Sequence, residues 1–284
     1  MSLNSVNTNI GAMVALQTLN RTNEALAVSQ KRVSTGFRVA DAKDDGAVFA
    51  IAQAIRGDVA ALTSVNEQLG GTKGLLETTM SSLRNISDTM NKMKEVLVKL
   101  ADGNVTGDTR TQYQKQYKEL RNNIEGFIND AGYNGKSLLK GTGTFANQYV
   151  DQLKVIRNQL GTQYQISGTN ASVNIFNSLG YTTAQLTVGG AAAALAATSK
   201  FSNTFNRVGT LLNTFGSNFR YVENQIRFNK DKIDAIEAGL GALIDADLAK
   251  ESARLQALQI RQQLGTQSLG IANQSPQILL SLFR

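Results

Sequence analysis

The sequence predicts a mainly α protein: an elongated antiparallel helical bundle or coiled coil with a small β-hairpin region. Three observations carry this. Pro276 is the only proline in 284 residues, and proline is the residue that breaks helices. From Phe201 a seam runs through Phe205, Val208, Leu212, Phe215, Phe219, Val222, Ile226, Asn229, Ile233, Ile236, Leu240 and Leu243 in alternating steps of four and three. That period places every member on one helical face, and a polar member such as Asn229 commonly fixes register. A second seam of the same period runs from Val48 to Leu100.

The second seam reads Val48, Ala52, Ile55, Val59, Leu62, Asn66, Leu69, Lys73, Leu76, Met80, Leu83, Ile86, Met90, Met93, Leu97 and Leu100. Two successive steps of three, Met80 to Leu83 to Ile86, predict a stammer, a local overwinding. Gly70, Gly71 and Gly74 weaken the middle of this helix by about 1 kcal/mol each relative to alanine. After the turn ADGNVTGD a third seam follows, Tyr113, Tyr117, Leu120, Ile124 and Phe127, with Asp108 or Thr109 as cap. Helices are therefore expected over about 44–100, 108–130 and 195–243. The first, at 1.5 Å per residue, would be on the order of 80 Å long. None can bury its stripe alone, and the short connection at 101–107 makes the first two antiparallel neighbours.

Residues 131–190 are punctuated by glycine. QYQIS (163–167), SVNIF (172–176) and AQLTV (184–188) read as short strands, with GTN turning between the first two. A helix is expected near 145–160. The organisation read from these patterns has five parts. Residues 1–42 form an N-terminal helical segment, 43–140 the first part of the bundle and 141–194 a β- and turn-rich centre. Residues 195–244 are the returning helix and 245–284 a C-terminal helical segment.

Both ends are amphipathic, yet rich in Asn, Gln, Ser and Thr. Leu19, Leu26 and Val33 are seven apart, as are Leu255, Gln262 and Leu269, with Leu258 beside them. The chain closes on SPQILLSLFR, whose Ile278, Leu279, Leu280, Leu282 and Phe283 have nothing after them to cover them. Each forgoes roughly 1.5–3 kcal/mol if left in water. Helix pairs this polar are expected to order only against each other or against neighbouring molecules. The candidate inter-subunit residues are Ile10, Met13, Leu16, Leu19, Leu26 and Val33 at one end. At the other they are Leu255, Leu258, Leu269, Leu279, Leu280 and Phe283.

The composition narrows the chemistry. There is no cysteine, histidine or tryptophan, so disulfides, thiol chemistry and His-based triads are excluded. No phosphate-binding glycine loop occurs, and no catalytic, cofactor-binding or metal residue is assigned; an enzyme is not expected. DAKDDG (41–46) has carboxylates at Asp41, Asp44 and Asp45, but Ala52 stands where a calcium loop needs its bidentate acid. It reads as a turn capping the next helix. The net charge of +7 is diluted: residues 43–140 carry 13 basic and 12 acidic groups, and 201–245 carry five of each. Tyr113 and Tyr117 read as seam residues rather than base-stacking ones, and no nucleic-acid partner is expected. A weak association with anionic polysaccharide stays open on charge. The N-terminus has no Lys or Arg before Arg21 and does not read as a secretory signal peptide. No apolar stretch approaches the ~20 residues of a bilayer span, so no membrane partner is expected.

Asn7-Thr8-Asn9, Arg32-Val33-Ser34-Thr35-Gly36-Phe37-Arg38 and Ala42-Lys43-Asp44-Asp45 resemble the N-terminal pattern of bacterial flagellins. Residues 245–284 resemble the C-terminus of that family through Asp245, Asp247, Ala249, Glu251, Gln262, Ala272, Asn273 and the Leu-Leu tail. YNGKSLL (133–139) is similar to its Phe-Asn-Gly-x-x-Leu-Leu motif. The hook–filament junction protein is a related alternative, but its first and last residues differ from those here. The resemblance implies the two inner flagellin domains with little or no outer domain. It implies a structural, self-assembling subunit of the extracellular filament. The terminal helices would polymerise into an inner tube, and the central bundle would form the outer one. It further implies export without a cleaved signal peptide, and as partners other flagellin subunits, the flagellar export machinery, an export chaperone, and hook-associated and cap proteins. One departure is Asn91-Lys92-Met93-Lys94-Glu95-Val96, where flagellins sensed by innate immunity carry Gln-Arg-(Val/Ile)-Arg-Glu-Leu. Lysine does not reproduce the planar guanidinium fork, so receptor activation is not expected.

Overall fold

The computed structural model describes residues 8–141 and 149–281, with side chains described to residue 274. The chain divides into two compact units, residues 60–233 and residues 1–59 with 234–284. Helix α1 spans Ile10–Thr35, α2 Gly46–Ala101 and α3 Gly107–Asn129. Two hairpins follow, β1 (Gly132–Tyr133) with β2 (Lys136–Ser137) and β3 (Gln152–Ile156) with β4 (Gln163–Ser167). A short α4 (Val188–Leu195), the long α5 (Lys200–Ile244) and α6 (Leu248–Ser281) complete a mainly α bundle with a small β region.

Within 60–233 the core is a double row. On α2, Leu62, Leu69, Leu76, Leu83, Met90 and Leu97 are buried. So are Val65, Thr72, Thr79, Ile86, Met93 and Leu100. The two rows interleave in unbroken steps of three and four. The expected seam passed instead through Asn66, Lys73 and Met80, which are only half-buried. The stammer expected at Met80–Ile86 is therefore absent, and the pair of threes falls at Val59–Leu62–Val65. The cause lies in the threonines. Thr72 and Thr79 return their hydroxyls to the carbonyls of Gln68 and Leu75 at 3.0 and 2.8 Å, leaving their methyls for the core.

Against these rows α5 buries Phe201, Val208, Phe215, Val222 and Asn229 at sevenfold spacing. Asn229 is 1% exposed. Its Nδ2 donates to Asn66 Oδ1 and to the Arg157 carbonyl, each at 3.1 Å, and its Oδ1 accepts from Gln225 at 3.0 Å. Every polar atom of this seam asparagine is used, and the amide pair fixes where α5 lies along α2. Helix α3 contributes Tyr117, Ile124 and Ile128, and the Tyr117 hydroxyl donates to the Leu179 carbonyl at 3.1 Å. Burial, with the nearby Tyr181, pushes its pKa far above the ordinary phenol value. The cap of α3 is Thr106, two or three residues earlier than the expected Asp108 or Thr109, and it makes no side-chain bond. Arg110 closes the turn instead, donating to the Leu100, Asp102 and Val105 carbonyls at 3.0, 3.2 and 2.9 Å.

The centre of the chain differs most from expectation. QYQIS is a strand, but its partner is Gln152–Ile156, where a helix near 145–160 was expected; residues 145–148 of that range lie outside the described residues. SVNIF is a single π-helical turn, and AQLTV takes in the end of a 3₁₀ turn, Thr183–Gln185, and the start of α4. Their apolar residues serve as a lid rather than as strands: Ile175 and Leu186 are buried on the helical core, as are Leu179, Ala191 and Ala194 beside them. The Asn134-Gly135 pair, at φ +48° and +72°, makes the two-residue turn between β1 and β2, the conformation that Asn-Gly adopts most readily. Gly168 is required for a different reason, since a Cβ there would meet the Val150 carbonyl.

The second unit is held by helix ends. Asp45 accepts from the N–H groups of Ala47 and Val48 and caps α2, and Asp247 does the same for α6 through Ala249 and Lys250, all at 3.1 Å. The links α1–α2 and α5–α6 run side by side: Arg38 and Val39 donate to the Ile244 carbonyl, and Ala246 to that of Gly36. Val39, Ala52 and Ile244 form a small core there. Ile244 thus takes the buried place expected of Leu243, which is exposed because the helix ends there.

Candidate polymerisation surface

Helices α1 and α6 pair antiparallel. Asn9 donates to the Ala272 carbonyl at 2.7 Å, Gln262 to Asn23 at 2.8 Å, and Ser29 to Glu251 at 2.7 Å, where Arg32 adds an ion pair at 3.0 Å. The faces that meet keep the three–four period. On α1 they are Ala12, Ala15, Leu19, Thr22, Leu26, Ser29 and Val33; on α6, Glu251, Leu255, Leu258, Gln262, Gly265, Leu269 and Ala272. Only Ser29, Glu251 and Leu258 are fully buried. Gly265 lets α1 come close, since a Cβ there would stand 3.2 Å from Leu19.

The twelve candidates therefore divide. Leu19, Leu26, Val33, Leu255, Leu258 and Leu269 face the partner helix of the same chain. Ile10, Met13 and Leu16 point away from it, exposed by 51%, 64% and 48%. The side chains of Leu279 and Leu280, and all of Phe283, lie outside the described residues. The expected set omits six exposed residues: Val14 and Val28 on α1, and Leu248, Ile260, Leu264 and Ile271 on α6. At 100° per residue the last three fall within about 40° of one another, opposite Leu255, Leu258 and Leu269. With Ala253, Ala257 and Gln267 they form a second seam in steps of four and three, the signal that could have identified them. Helix α6 is thus apolar on two opposite faces, and α1 covers one. Helix α2 also contains an 18-residue window of mean hydropathy 1.3, only 17% buried. By length and composition alone this passes as a membrane-length segment, a test that the core helix of a helical bundle also passes.

The carboxylates of DAKDDG have partners in this unit. Lys31 Nζ lies 2.7 Å from Asp41 and 2.8 and 2.9 Å from the two oxygens of Asp44. Lys31 first, then the backbone N–H of Lys43 or Ala40, hold both carboxyls below the ordinary aspartate value. The Ser29 hydroxyl, and to a lesser degree Arg32, hold Glu251 low against the opposing effect of burial. A depressed folded pKa stabilises above the unfolded value and ceases to do so as pH falls through the folded one. Protease cleavage within α1 and α6 is therefore expected to accelerate below about pH 4. A cleavage rate that stays level from neutral pH to about pH 3 would refute this.

Comparison with known proteins agrees with this architecture. Residues 6–144 match the bacterial flagellin N-terminal helical region, and residues 197–283 the bacterial flagellin C-terminal helical region. Flagellin FljK of Caulobacter vibrioides is 35% identical over 284 residues, with all of both chains covered. A flagellin of Brucella melitensis is 35% identical over 295 residues, covering 99% of each. Among solved structures, a putative flagellar hook-associated protein from Vibrio parahaemolyticus shares the fold at a TM-score of 0.61. It is 15% identical, and the match covers 71% of this chain and 100% of that one. Both helical ends and the compact length are accounted for by these matches: the chain belongs to the bacterial flagellin family.

Proposed function

We propose that the paired terminal helices α1 and α6 are the polymerising device, and that residues 60–233 form the outer wall of the filament. As a flagellin the chain is a structural protein, a subunit of the extracellular bacterial flagellar filament that self-assembles with other flagellin subunits and serves motility. The observation that supports the finer reading is the second apolar face of α6. Ile260, Leu264 and Ile271 are exposed by 59%, 57% and 70% among the described residues of the single chain. A contact between unlike faces of successive copies does not close on itself and yields a helical polymer. Leu279, Leu280 and Phe283 would add to the same buried surface.

The reading includes no enzymatic activity. It includes export through the flagellar machinery without a cleaved leader, with an export chaperone and the hook-associated and cap proteins as transient partners. N-terminal sequencing of filament protein should begin at Met1 or Ser2; a start many residues later would refute the uncleaved leader. Weak association with anionic polysaccharide belongs to the same proposal, supported by the net charge of +7.

The deciding experiment is electron microscopy after salting-out and seeding. The full chain is expected to form filaments. A chain ending at Gln274 is expected to form none, while its circular dichroism retains the helicity of the bundle. Filaments from the shortened chain would overturn the assignment.

A further inference from the structure

The window 201–245 is neutral by count, yet its two signs are separated. From residue 200 to 232, α5 carries Lys200, Arg207, Arg220, Arg227, Lys230 and Lys232 against only Glu223 and Asp231. From 234 to 247 there are four acids, Asp234, Glu237, Asp245 and Asp247, and no cation. The change of sign coincides with the border between the two units. Counted by unit, residues 1–59 with 234–284 hold 10 basic and 10 acidic groups, and residues 60–233 hold 19 and 12. The entire excess of +7 belongs to the second set.

The cationic stretch also has an unusual face. Opposite its core seam, α5 exposes Asn206, Thr210, Asn213, Ser217, Arg220 and Asn224 in steps of three and four. These are short amide and hydroxyl side chains with cations among them and at both ends, and the row contains no carboxylate. Amide and hydroxyl residues are poorer helix formers than the Glu, Lys and Ala that usually fill a solvated face. Helix stability therefore does not explain them. Helix α3 makes the contrast, mixing both signs on its exposed side in Asp108, Lys115, Lys118 and Glu119. Glu223, the one acid within the stretch before Asp231, is half-buried and already held by Lys73 at 3.3 Å and Arg227 at 3.4 Å.

We propose that this face of α5 is a binding site for an anionic polysaccharide, which rests on the weak association read from net charge and gives it a place. Guanidinium groups pair with carboxylate or sulfate in a two-pronged geometry. The amides and hydroxyls between them suit the hydroxyls of a sugar chain, and the missing carboxylates remove repulsion. A filament would repeat the strip many times, so that modest single-site affinity becomes strong retention. A nucleic-acid strand is the poorer fit, because strand binders interleave aromatic platforms with their cations. Among the described residues Phe228 is the one large aromatic exposed on this stretch of α5.

The test is titration of fluorescent heparin into the full-length monomer, so that failure here and failure to polymerise are separate results. Wild-type chain is expected to bind at low salt and to release near 0.15 M, roughly physiological strength. Arg207→Gln, Arg220→Gln and Lys230→Gln together should weaken binding roughly tenfold. Lys92→Gln, Lys94→Gln and Lys115→Gln remove the same charge from α2 and α3 and should change it less than about twofold. Equal weakening by both triples would leave the net-charge reading standing and overturn the site. So would absence of wild-type binding, or tighter binding to single-stranded DNA than to heparin at equal salt.

Discussion

A chain carrying Ile260→Glu and Leu264→Glu is expected to stay monomeric under conditions that polymerise the parent, with unchanged helicity. Both residues lie on the face of α6 that α1 does not cover. In the monomer the new carboxylates would stand in water and cost little. In the polymer they would have to enter a contact that otherwise gains roughly 1.5–3 kcal/mol per buried side chain. Leaving an unpaired charge in such a contact costs several kcal/mol more, and the penalty recurs in every subunit. Leu258→Ala separates this effect from disruption of the pair itself. Leu258 is buried toward α1, so its loss should raise protease sensitivity of α1 and α6 in the monomer. The double glutamate variant should leave that sensitivity alone. Wild-type filament yield from the double variant, by sedimentation and microscopy, would remove the outward face of α6 from the mechanism.

Why the inward face of α6 was legible and its outward face was not has a physical answer. Leu19, Leu26 and Val33, like Leu255, Gln262 and Leu269, stand seven apart and form one clear stripe on each helix. The outward seam of α6 contains Ala253, Ala257 and Gln267 among its large residues, so a search for one stripe per helix passes over it. The bundle shows the same asymmetry. The seams of α2, α3 and α5 follow from apolar periodicity because burial enforces it. Thr72 and Thr79 were missed because a buried threonine that returns its hydroxyl to the helix carbonyl behaves as an apolar residue while reading as polar. SVNIF and AQLTV read as strands because β-branched and aromatic residues prefer strands. Here tertiary burial of Ile175 and Leu186 outweighs that preference. The strand Gln152–Ile156 gave no local signal of its own; its place is set by pairing with Gln163–Ser167.

The register of α2 supports the sharpest test of the core. Thr79→Glu is expected to lower the unfolding midpoint of the bundle steeply, whereas Met80→Glu should be far milder. Thr79 is 0% exposed, with Leu75, Leu76 and Leu83 buried on the same helix face. A carboxylate there would be desolvated, and no Lys or Arg is buried among the described residues to meet it, a class of change that costs roughly 3–5 kcal/mol. For a unit of this size that corresponds to roughly 6–20 °C of midpoint. Met80 is half-buried at the edge of the core, so a glutamate can turn its head to water and forfeit mainly the methionine contact. The seam read from apolar residues alone, through Met80, requires the reverse order. Thr79→Val completes the argument. It keeps the shape and removes only a hydroxyl whose partner is the helix's own Leu75 carbonyl, so the midpoint should move by no more than a few degrees. If Met80→Glu proved the more damaging change, α2 would be rotated relative to the register described, with the stammer restored at Leu83.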